Sequence, residues 1–314
     1  MEMQQLEDIA NRSRNMREVG TMLLLASSVL ALFIFIPIRP PASADPAAVV
    51  LAPPPSPYAN VAVVAKAAIV YDLRDGVTLY EKEADTQLPL ASLTKLLTIV
   101  AALRTLPLET SVMITAEDSA VESPRRFVVG EELAFSDLAR LTLTASLNDG
   151  AAAIARTLAL REATTTLAAL ANASAALNLS ATYVLNGNGL DVSRTVAGGY
   201  GSARDVARVA GALVDLAPSI ALATTESSAS ATTLSGRYYE IRNTNPTVAD
   251  VPRLLLSKTG FTDLAGGNLA LVFDASMRHP IAVVVLGSNE EARFSDAEVL
   301  VAATLAHFSG RSTP

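Results

Sequence analysis

Hydrophobic runs of strand length lie at both ends of the region that follows residue 57. Near its start, residues 65–83 contain two such runs on either side of Asp75-Gly76, a dipeptide typical of tight hairpin turns. Near its end, hydrophobic runs predict four more strands, at 236–243, 254–262, 267–274 and 280–288, before a final helix at 295–308. Both ends of this region are therefore expected to contribute to one sheet.

Between the two groups of strands, hydrophobic positions recur at helical spacing. Leu93, Leu96, Leu97 and Val100 would form the apolar face of a helix that begins at Ser92. Alanine-rich helices are predicted at 136–145, 150–160, 163–179 and 202–216. Strands at both ends with helices between them indicate an α/β (α+β) fold, in which a mostly helical lobe is inserted into a sheet lobe.

The N-terminal segment differs in composition from the rest of the chain. Residues 21–38 are apolar and uncharged, and as a helix they would extend about 26 Å, enough to cross the core of a bilayer. Arg12, Arg14 and Arg17 precede them, so the positive-inside rule predicts a cytoplasmic tail at 1–20 and export of the chain beyond residue 38. The proline-rich residues 39–57 favour an extended spacer.

Cleavage is the alternative for this segment. The sequence 42-ASA-44 resembles a signal-peptidase site, and cleavage near Ala44 would secrete the protein. The apolar run is long for a signal sequence, however, and Pro37, Arg39, Pro40 and Pro41 stand before the site. We therefore expect an uncleaved membrane anchor, with a domain at 58–309 outside the cytosol.

Composition excludes several classes of function. The net charge of −7 provides no basic surface for nucleic acid. The chain has no cysteine, which excludes disulfides and thiolate metal sites. Its two histidines, His279 and His307, lie outside any recognisable ligand motif, which argues against a zinc hydrolase.

Three short polar motifs interrupt the hydrophobic pattern. Taken singly, each has a structural interpretation as a helix cap, a turn or an exposed strand residue. Taken together, their order and their predicted elements match one chemical arrangement. The motifs are Ser92-Leu93-Thr94-Lys95 at a helix start, Ser146-Leu147-Asn148 between two helices, and Lys258-Thr259-Gly260 within a strand.

In this order, S-x-x-K, S-x-N and K-T-G resemble the motifs of the penicillin-recognising serine enzymes. The surrounding residues 79–98, 183–191, 200–207 and 258–270 resemble the D-alanyl-D-alanine carboxypeptidases, which are low-molecular-mass penicillin-binding proteins. The resemblance covers about residues 58–308. It implies a β-lactamase/transpeptidase-like fold, with an antiparallel sheet flanked by helices and the active site between the lobes. It implies peptidoglycan stem peptides as substrates, β-lactams as covalent inhibitors, and no metal or organic cofactor.

The resemblance also implies the roles of the reacting groups. Ser92 would attack the peptide carbonyl, and Lys95, one helical turn along the same face, would accept its proton. This requires a neutral lysine, whose pKa would be lowered by burial and by the neighbouring cation of Lys258. Ser146 would relay a proton to the departing amine, and Asn148 would position Lys95 and the substrate amide.

The remaining roles concern the substrate's terminal carboxylate and the developing oxyanion. Lys258 and Thr259 would hold the carboxylate. The N–H groups of Ser92 and of Phe261, the residue after the motif glycine, would bind the oxyanion. Arg293 resembles an arginine that follows the last strand in relatives. It is a candidate for the carboxylate as well, with a solvated surface arginine as the alternative.

The sequence departs from the family pattern at Leu147, where glycine is frequent, and at Phe261, where polar residues are frequent. The expected activity is D-alanyl-D-alanine carboxypeptidase, with D,D-endopeptidase action on crosslinks as the open alternative. A class A-like β-lactamase would need a glutamate with asparagine four residues later, and no glutamate after Ser92 has one. A non-catalytic wall-binding module would be expected to lose Ser92, Lys95 or Lys258.

Overall fold

The computed structural model describes residues 2–34 and 56–310. The chain divides into two compact units, residues 1–53 and residues 54–314. The described part of the first unit is the helix α1 (Glu2–Ile34), which starts well before the predicted apolar segment. Among the described residues, no helix combines the length and the hydropathy needed to cross a bilayer. Most of the predicted spacer at 39–57, and the end of the predicted span, lie outside the described residues.

The second unit contains eight α-helices and twelve strands within residues 56–310. The helices are α2 (Thr94–Leu103), α3 (Ala116–Ser119), α4 (Phe135–Ala145), α5 (Asn148–Arg161), α6 (Thr166–Ala176), α7 (Ala203–Leu216), α8 (Pro218–Ala223) and α9 (Ala292–Phe308). The strands are β1 (Ala67–Asp72), β2 (Val77–Lys82), β3 (Leu88–Pro89), β4 (Ser111–Met113), β5 (Glu132–Ala134), β6 (Tyr183–Val184), β7 (Gly199–Gly201), β8 (Ser228–Thr232), β9 (Tyr238–Arg242), β10 (Leu254–Thr262), β11 (Gly266–Asp274) and β12 (Pro280–Ser288).

The principal sheet has the order β10-β11-β12-β1-β2, and every neighbouring pair is antiparallel. It joins the first two strands to the last three, which confirms that both ends of the domain build one sheet. The predicted hairpin turn is also confirmed, because Gly76 adopts the left-handed conformation with φ of +70° between β1 and β2. Strand β10 lies at one edge of the sheet.

Both faces of the principal sheet are covered, which explains why its strands are hydrophobic nearly throughout. On one face, residues such as Val70, Val283 and Leu271 pack with Leu300 and Val301 of α9. On the other face, alternate residues belong to a second cluster shared with the helical lobe; they include Ile69, Val284, Val272 and Leu256. The fold is thus the α/β architecture expected from the sequence.

Helix α2 runs through the helical lobe. All its residues from Thr94 to Ala102 are buried, which includes the polar Thr94, Lys95 and Thr98 as well as the predicted apolar face. It packs in one hydrophobic core with residues of α4, α5, α6 and α7. The fixed position of α2 matters for function, because the first polar motif lies at its start.

Candidate active site

The chain reaches α2 through a tight turn that sets the direction of the Ser92 side chain. Ala91 has φ of +49°, and residues Ala91–Leu93 form a 3-10 turn immediately before the helix. Ser92 is partly exposed, whereas Lys95 is completely buried. The Nζ of Lys95 lies 2.7 Å from the Oγ of Ser92. A hydroxyl with access to solvent therefore lies in hydrogen-bond contact with a buried amine.

The Lys95 amine has two further partners. Its Nζ lies 2.7 Å from Oδ1 of Asn148 and 2.7 Å from the carbonyl oxygen of Asn188. Burial lowers the pKa of Lys95 well below its ordinary value, the charge of Lys258 lowers this pKa further, and Asp149 acts in the opposite direction. The site therefore favours a neutral Lys95, which is the form that can accept a proton.

The second motif lies at a reversal between α4 and α5. Ser146 ends α4 in a left-handed conformation, with φ of +58°, and α5 begins two residues later at Asn148. The Oγ of Ser146 accepts a hydrogen bond of 2.9 Å from Nζ of Lys258. The Nδ2 of Asn148 donates to the carbonyl of Glu122 at 3.0 Å, which leaves Oδ1 facing Lys95. Leu147, between them, packs in the hydrophobic core.

The third motif lies on the edge strand β10. Lys258 is buried, and its Nζ also lies 2.7 Å from the carbonyl oxygen of Thr259. Burial, followed by the charge of Arg293, lowers the pKa of Lys258 to about 7. The Oγ1 of Thr259 lies 2.6 Å from Oγ1 of Thr244. The Lys258 amine thus contacts the second motif through Ser146, and the Thr259 hydroxyl contacts Thr244.

Two glycines allow the backbones of the site to approach closely. A Cβ at Gly260 would lie 3.0 Å from the carbonyl oxygen of Leu90. A Cβ at Gly189, which has φ of +79°, would lie 1.9 Å from the carbonyl oxygen of Ala91. Strand β10 and the loop before β7 therefore pack directly against the turn that presents Ser92.

The last two predicted residues lie close to the third motif. Phe261 is 46% exposed and lines an open cleft of about 860 Å³, together with Glu122, Asp191 and Thr262. Arg293 lies in the first turn of α9 and is only 7% exposed. Its Nη1 donates a hydrogen bond of 2.9 Å to the carbonyl of Gly260.

Three residues of the site were not singled out from the sequence. Asn188 contributes its backbone carbonyl to Lys95, so its side-chain type contains no signal of that contact. Asp149 accepts hydrogen bonds from the backbone N–H groups of Arg126 and Phe127, and thereby fixes the segment beside Asn148. Thr244 lies 15 positions from Thr259 in the sequence, and only folding brings the two hydroxyls together.

One group of three potential metal ligands is present among residues 2–34 and 56–310: Asp72, Asp75 and His279. Oδ2 of Asp72 lies 2.6 Å from Nε2 of His279, so two of the three are already paired with each other. Asp72 is aligned with Ile281 and, through β12 and β11, with Leu254. That register places the group at the end of the sheet opposite to Gly260, away from the three polar motifs.

Comparison with known proteins identifies the same family as the one that the three motifs resemble. Residues 53–290 match the model of a family described as D-alanyl-D-alanine carboxypeptidase. A D-alanyl-D-alanine endopeptidase from Escherichia coli is 29% identical over 280 residues, covering 86% of this chain and 85% of the relative.

Solved structures share the fold. Penicillin-binding protein D2 from Listeria monocytogenes, in its cefotaxime-bound form, is 26% identical with a TM-score of 0.65, over 78% of this chain and 98% of that one. A D-alanyl-D-alanine carboxypeptidase from Mycobacterium tuberculosis is 23% identical with a TM-score of 0.67, over 85% of this chain and 96% of that one. The family match at residues 53–290 contains all three polar motifs and ends before Arg293.

Proposed function

The chain belongs to the D-alanyl-D-alanine carboxypeptidase family and is a serine peptidase, and we propose that it removes the terminal D-alanine of peptidoglycan stem peptides through an acyl-Ser92 intermediate. The contact between Ser92 Oγ and Lys95 Nζ is the observation that carries this proposal. A serine hydroxyl is a weak nucleophile until a base accepts its proton, and a buried neutral lysine supplies that base.

In the acylation step, Ser92 Oγ forms a bond to the carbonyl carbon of the penultimate D-alanine while its proton passes to Lys95. The C–N bond to the terminal D-alanine then breaks, and the departing amine takes a proton through Ser146. Ser146 suits this relay because its Oγ is held by Lys258. Water then attacks the ester carbon while Lys95 accepts a proton from it. The bond from that carbon to Ser92 Oγ breaks, and Oγ takes the proton back from Lys95, which releases the shortened peptide and restores Ser92.

The substrate's terminal carboxylate would be held by Lys258 and Thr259, which are consecutive residues of the edge strand β10. A bound carboxylate stabilises the charged form of Lys258, so substrate binding would raise a pKa that is about 7 in the free enzyme. The oxyanion would be bound by the N–H groups of Ser92 and Phe261. Fixed donors of this kind act strongly where water is excluded.

Endopeptidase action on crosslinks is the second candidate, because the relative from Escherichia coli bears that name. The same residues would perform it, since only the group attached to the departing amine differs. Mass spectrometry separates the two activities: the full-length protein is incubated with a stem pentapeptide and, separately, with a crosslinked dimer. Loss of one D-alanine from the pentapeptide supports the carboxypeptidase, and cleavage of the dimer alone supports the endopeptidase. If neither substrate reacts with the folded protein, the proposal is wrong.

We also propose that the N-terminal segment directs the catalytic domain out of the cytosol and stays attached as a membrane anchor. The support is the apolar sequence 21–38 behind Arg12, Arg14 and Arg17. N-terminal sequencing of the protein recovered from the membrane fraction tests this. A mature protein that begins at Asp45 would replace the anchor by a cleaved signal, and recovery from the cytosol would overturn export.

A further inference from the structure

We propose that Arg293 is a positioning residue for the oxyanion site: by donating a hydrogen bond to the carbonyl of Gly260, it orients and polarises the peptide group whose N–H belongs to Phe261. This inference rests on the proposed function, in which the Phe261 N–H binds the oxyanion. It differs from direct binding of the substrate's carboxylate, the role that the family resemblance assigns to this arginine.

The geometry begins with the peptide between Gly260 and Phe261. Arg293 Nη1 lies 2.9 Å from the Gly260 oxygen. A trans peptide is planar, and its C=O and N–H point in opposite directions. Fixing the oxygen on the Arg293 side therefore directs the Phe261 N–H away from Arg293. The same peptide lies against the turn that carries Ser92, since a Cβ at Gly260 would be 3.0 Å from the Leu90 oxygen.

The charge on Arg293 strengthens the effect. A hydrogen bond from an ionised donor is roughly twice as strong as one between neutral groups. Hydrogen bonds in sequence polarise one another, so a cation on the carbonyl makes the N–H of the same peptide a better donor. An oxyanion donor that is both fixed in direction and polarised needs no reorganisation when the negative charge develops.

Structural stability does not account for this arginine. Among the described residues, no carboxylate lies within ion-pair distance of Arg293, whereas Arg156 pairs with Asp118. The Nε of Arg293 is buried and has no hydrogen-bond partner in the described part of the chain. Its main neighbour besides Gly260 is the ring of Phe294, whose centroid lies 4.8 Å from the guanidinium carbon. Burial lowers the pKa of Arg293, and the charge of Glu290 opposes this shift without forming an ion pair. A buried cation without a direct ion pair is costly to the fold, which favours a role in the site.

The nitrogen Nη1 of Arg293 is committed to the Gly260 carbonyl. Through this bond the guanidinium acts on the peptide group that precedes Phe261. Direct contact with the substrate's carboxylate is a different role, and the two substrates of the test below distinguish the two roles.

The test compares Arg293→Lys with the matched control Arg253→Lys in the full-length protein. Arg253 also donates to backbone carbonyls, those of Asp274 and Ala275, but at the other end of the sheet. Lysine keeps the charge and loses the planar fork. Each variant is assayed with a peptide ending in D-alanyl-D-alanine and with the C-terminal amide of that peptide. We expect Arg293→Lys to lower kcat at least about tenfold for both substrates, with KM nearly unchanged, and the control to match the unmodified protein.

A spectroscopic readout separates positioning from a general loss of activity. The acyl-enzyme formed with a carbonyl-labelled β-lactam is examined by infrared difference spectroscopy, since a weaker oxyanion-site hydrogen bond raises the ester C=O stretching frequency. We expect a higher frequency in Arg293→Lys and no change in Arg253→Lys. If Arg293→Lys fails to fold, Arg293→Gln, which keeps a neutral donor, replaces it with the same expected direction.

Two outcomes overturn the inference: a loss of activity confined to the substrate with a free carboxylate, or an unchanged carbonyl frequency in a folded Arg293 variant. Either result leaves the proposed function intact as long as β-lactam acylates Ser92. Absence of any adduct on Ser92 in the unmodified protein would instead refute the proposed function itself.

Discussion

Lys95 and Lys258 are both buried amines, and the charge of Lys258 adds to the effect of burial in lowering the pKa of Lys95. Burial, followed by the charge of Arg293, in turn lowers the pKa of Lys258 to about 7. The proposed mechanism uses the neutral form of Lys95 beside the nucleophile and the charged form of Lys258 at the carboxylate site, so both titrations should appear in the rate.

A bell-shaped pH profile is the first prediction. The value of kcat/KM should rise as pH increases through the lowered pKa of Lys95, because the base must be neutral. It should fall as pH increases through about 7, because Lys258 must be charged to attract the carboxylate. Rates are measured with a blocked tripeptide ending in D-alanyl-D-alanine, which has no group that titrates in this range. Bound carboxylate should shift the falling limb of kcat to higher pH.

Lys258→Arg is the control for this profile, since an arginine stays charged throughout the range. The variant should retain the rising limb and lose the falling limb. An unaltered falling limb in Lys258→Arg would assign that limb to another group.

The second prediction concerns the acyl-enzyme. Benzylpenicillin should form an adduct on the peptide that contains Ser92, and Ser92→Ala should form none, whereas Ser295→Ala, at an exposed position of α9, should react normally. We expect the adduct to persist while D-alanine is released from a pentapeptide many times faster. Glu162, one of three glutamates between the second and third motifs, lies at the far end of α5 from Asn148. A missing deacylation base slows hydrolysis about tenfold for each ~1.4 kcal/mol of lost barrier stabilisation.

Intact-mass spectrometry over time measures this lifetime. Rapid, sustained hydrolysis of benzylpenicillin with little release of D-alanine would make the protein a β-lactamase. An adduct elsewhere in the chain would remove Ser92 from the role of nucleophile.

Thr259→Val is the third prediction, and it tests the carboxylate site. The substitution preserves shape and removes the Oγ1 that lies beside Thr244. Losing one hydrogen bond to a charged group should cost about 1.5–3 kcal/mol, which lowers kcat/KM roughly 10- to 150-fold. The loss should largely disappear when the substrate's terminal carboxylate is an amide. An equal loss with both substrates would place Thr259 outside the carboxylate site.

The fourth prediction concerns backbone approach at Gly189. An added Cβ would lie 1.9 Å from the Ala91 oxygen and 2.8 Å from Oγ1 of Thr94, so the turn before α2 would have to move. Gly189→Ala should lower the free energy of unfolding by at least about 3 kcal/mol and should reduce acylation. Urea denaturation measures the first effect and penicillin binding measures the second.

Gly236→Ala is the matched control, because Gly236 also has positive φ, +92°, but has nothing within 4 Å of its added Cβ. It should cost only the left-handed backbone strain, about 1–2 kcal/mol, and leave acylation unchanged. Equal losses in the two variants would mean that conformation, not close packing, requires glycine at position 189.

The sequence by itself determined the elements of the principal sheet and most of the helices. The predicted strands at 254–262 and 280–288 match β10 and β12 residue for residue, and the helix predicted at 136–145 differs from α4 by one residue. These elements are long enough for the pattern of their hydrophobic residues to be recognised in the sequence. The short strands β3, β6 and β8 show too little pattern and were missed, whereas β9, of five residues, lies within the strand predicted at 236–243.

The three motifs could also be recognised in the sequence. Ser92 and Lys95 are one helical turn apart, so their contact depends only on local geometry. The pKa values of the two lysines, by contrast, were decided by the tertiary structure. The pKa of Lys95 is lowered because α2 is buried and because β10 brings Lys258 near. The spacing of residues along the sequence predicts neither the burial nor the approach of Lys258. The contact of Arg293 with the Gly260 carbonyl was also decided by the tertiary structure. Every residue has a backbone carbonyl, so the identity of residue 260 does not reveal that a distant side chain binds it.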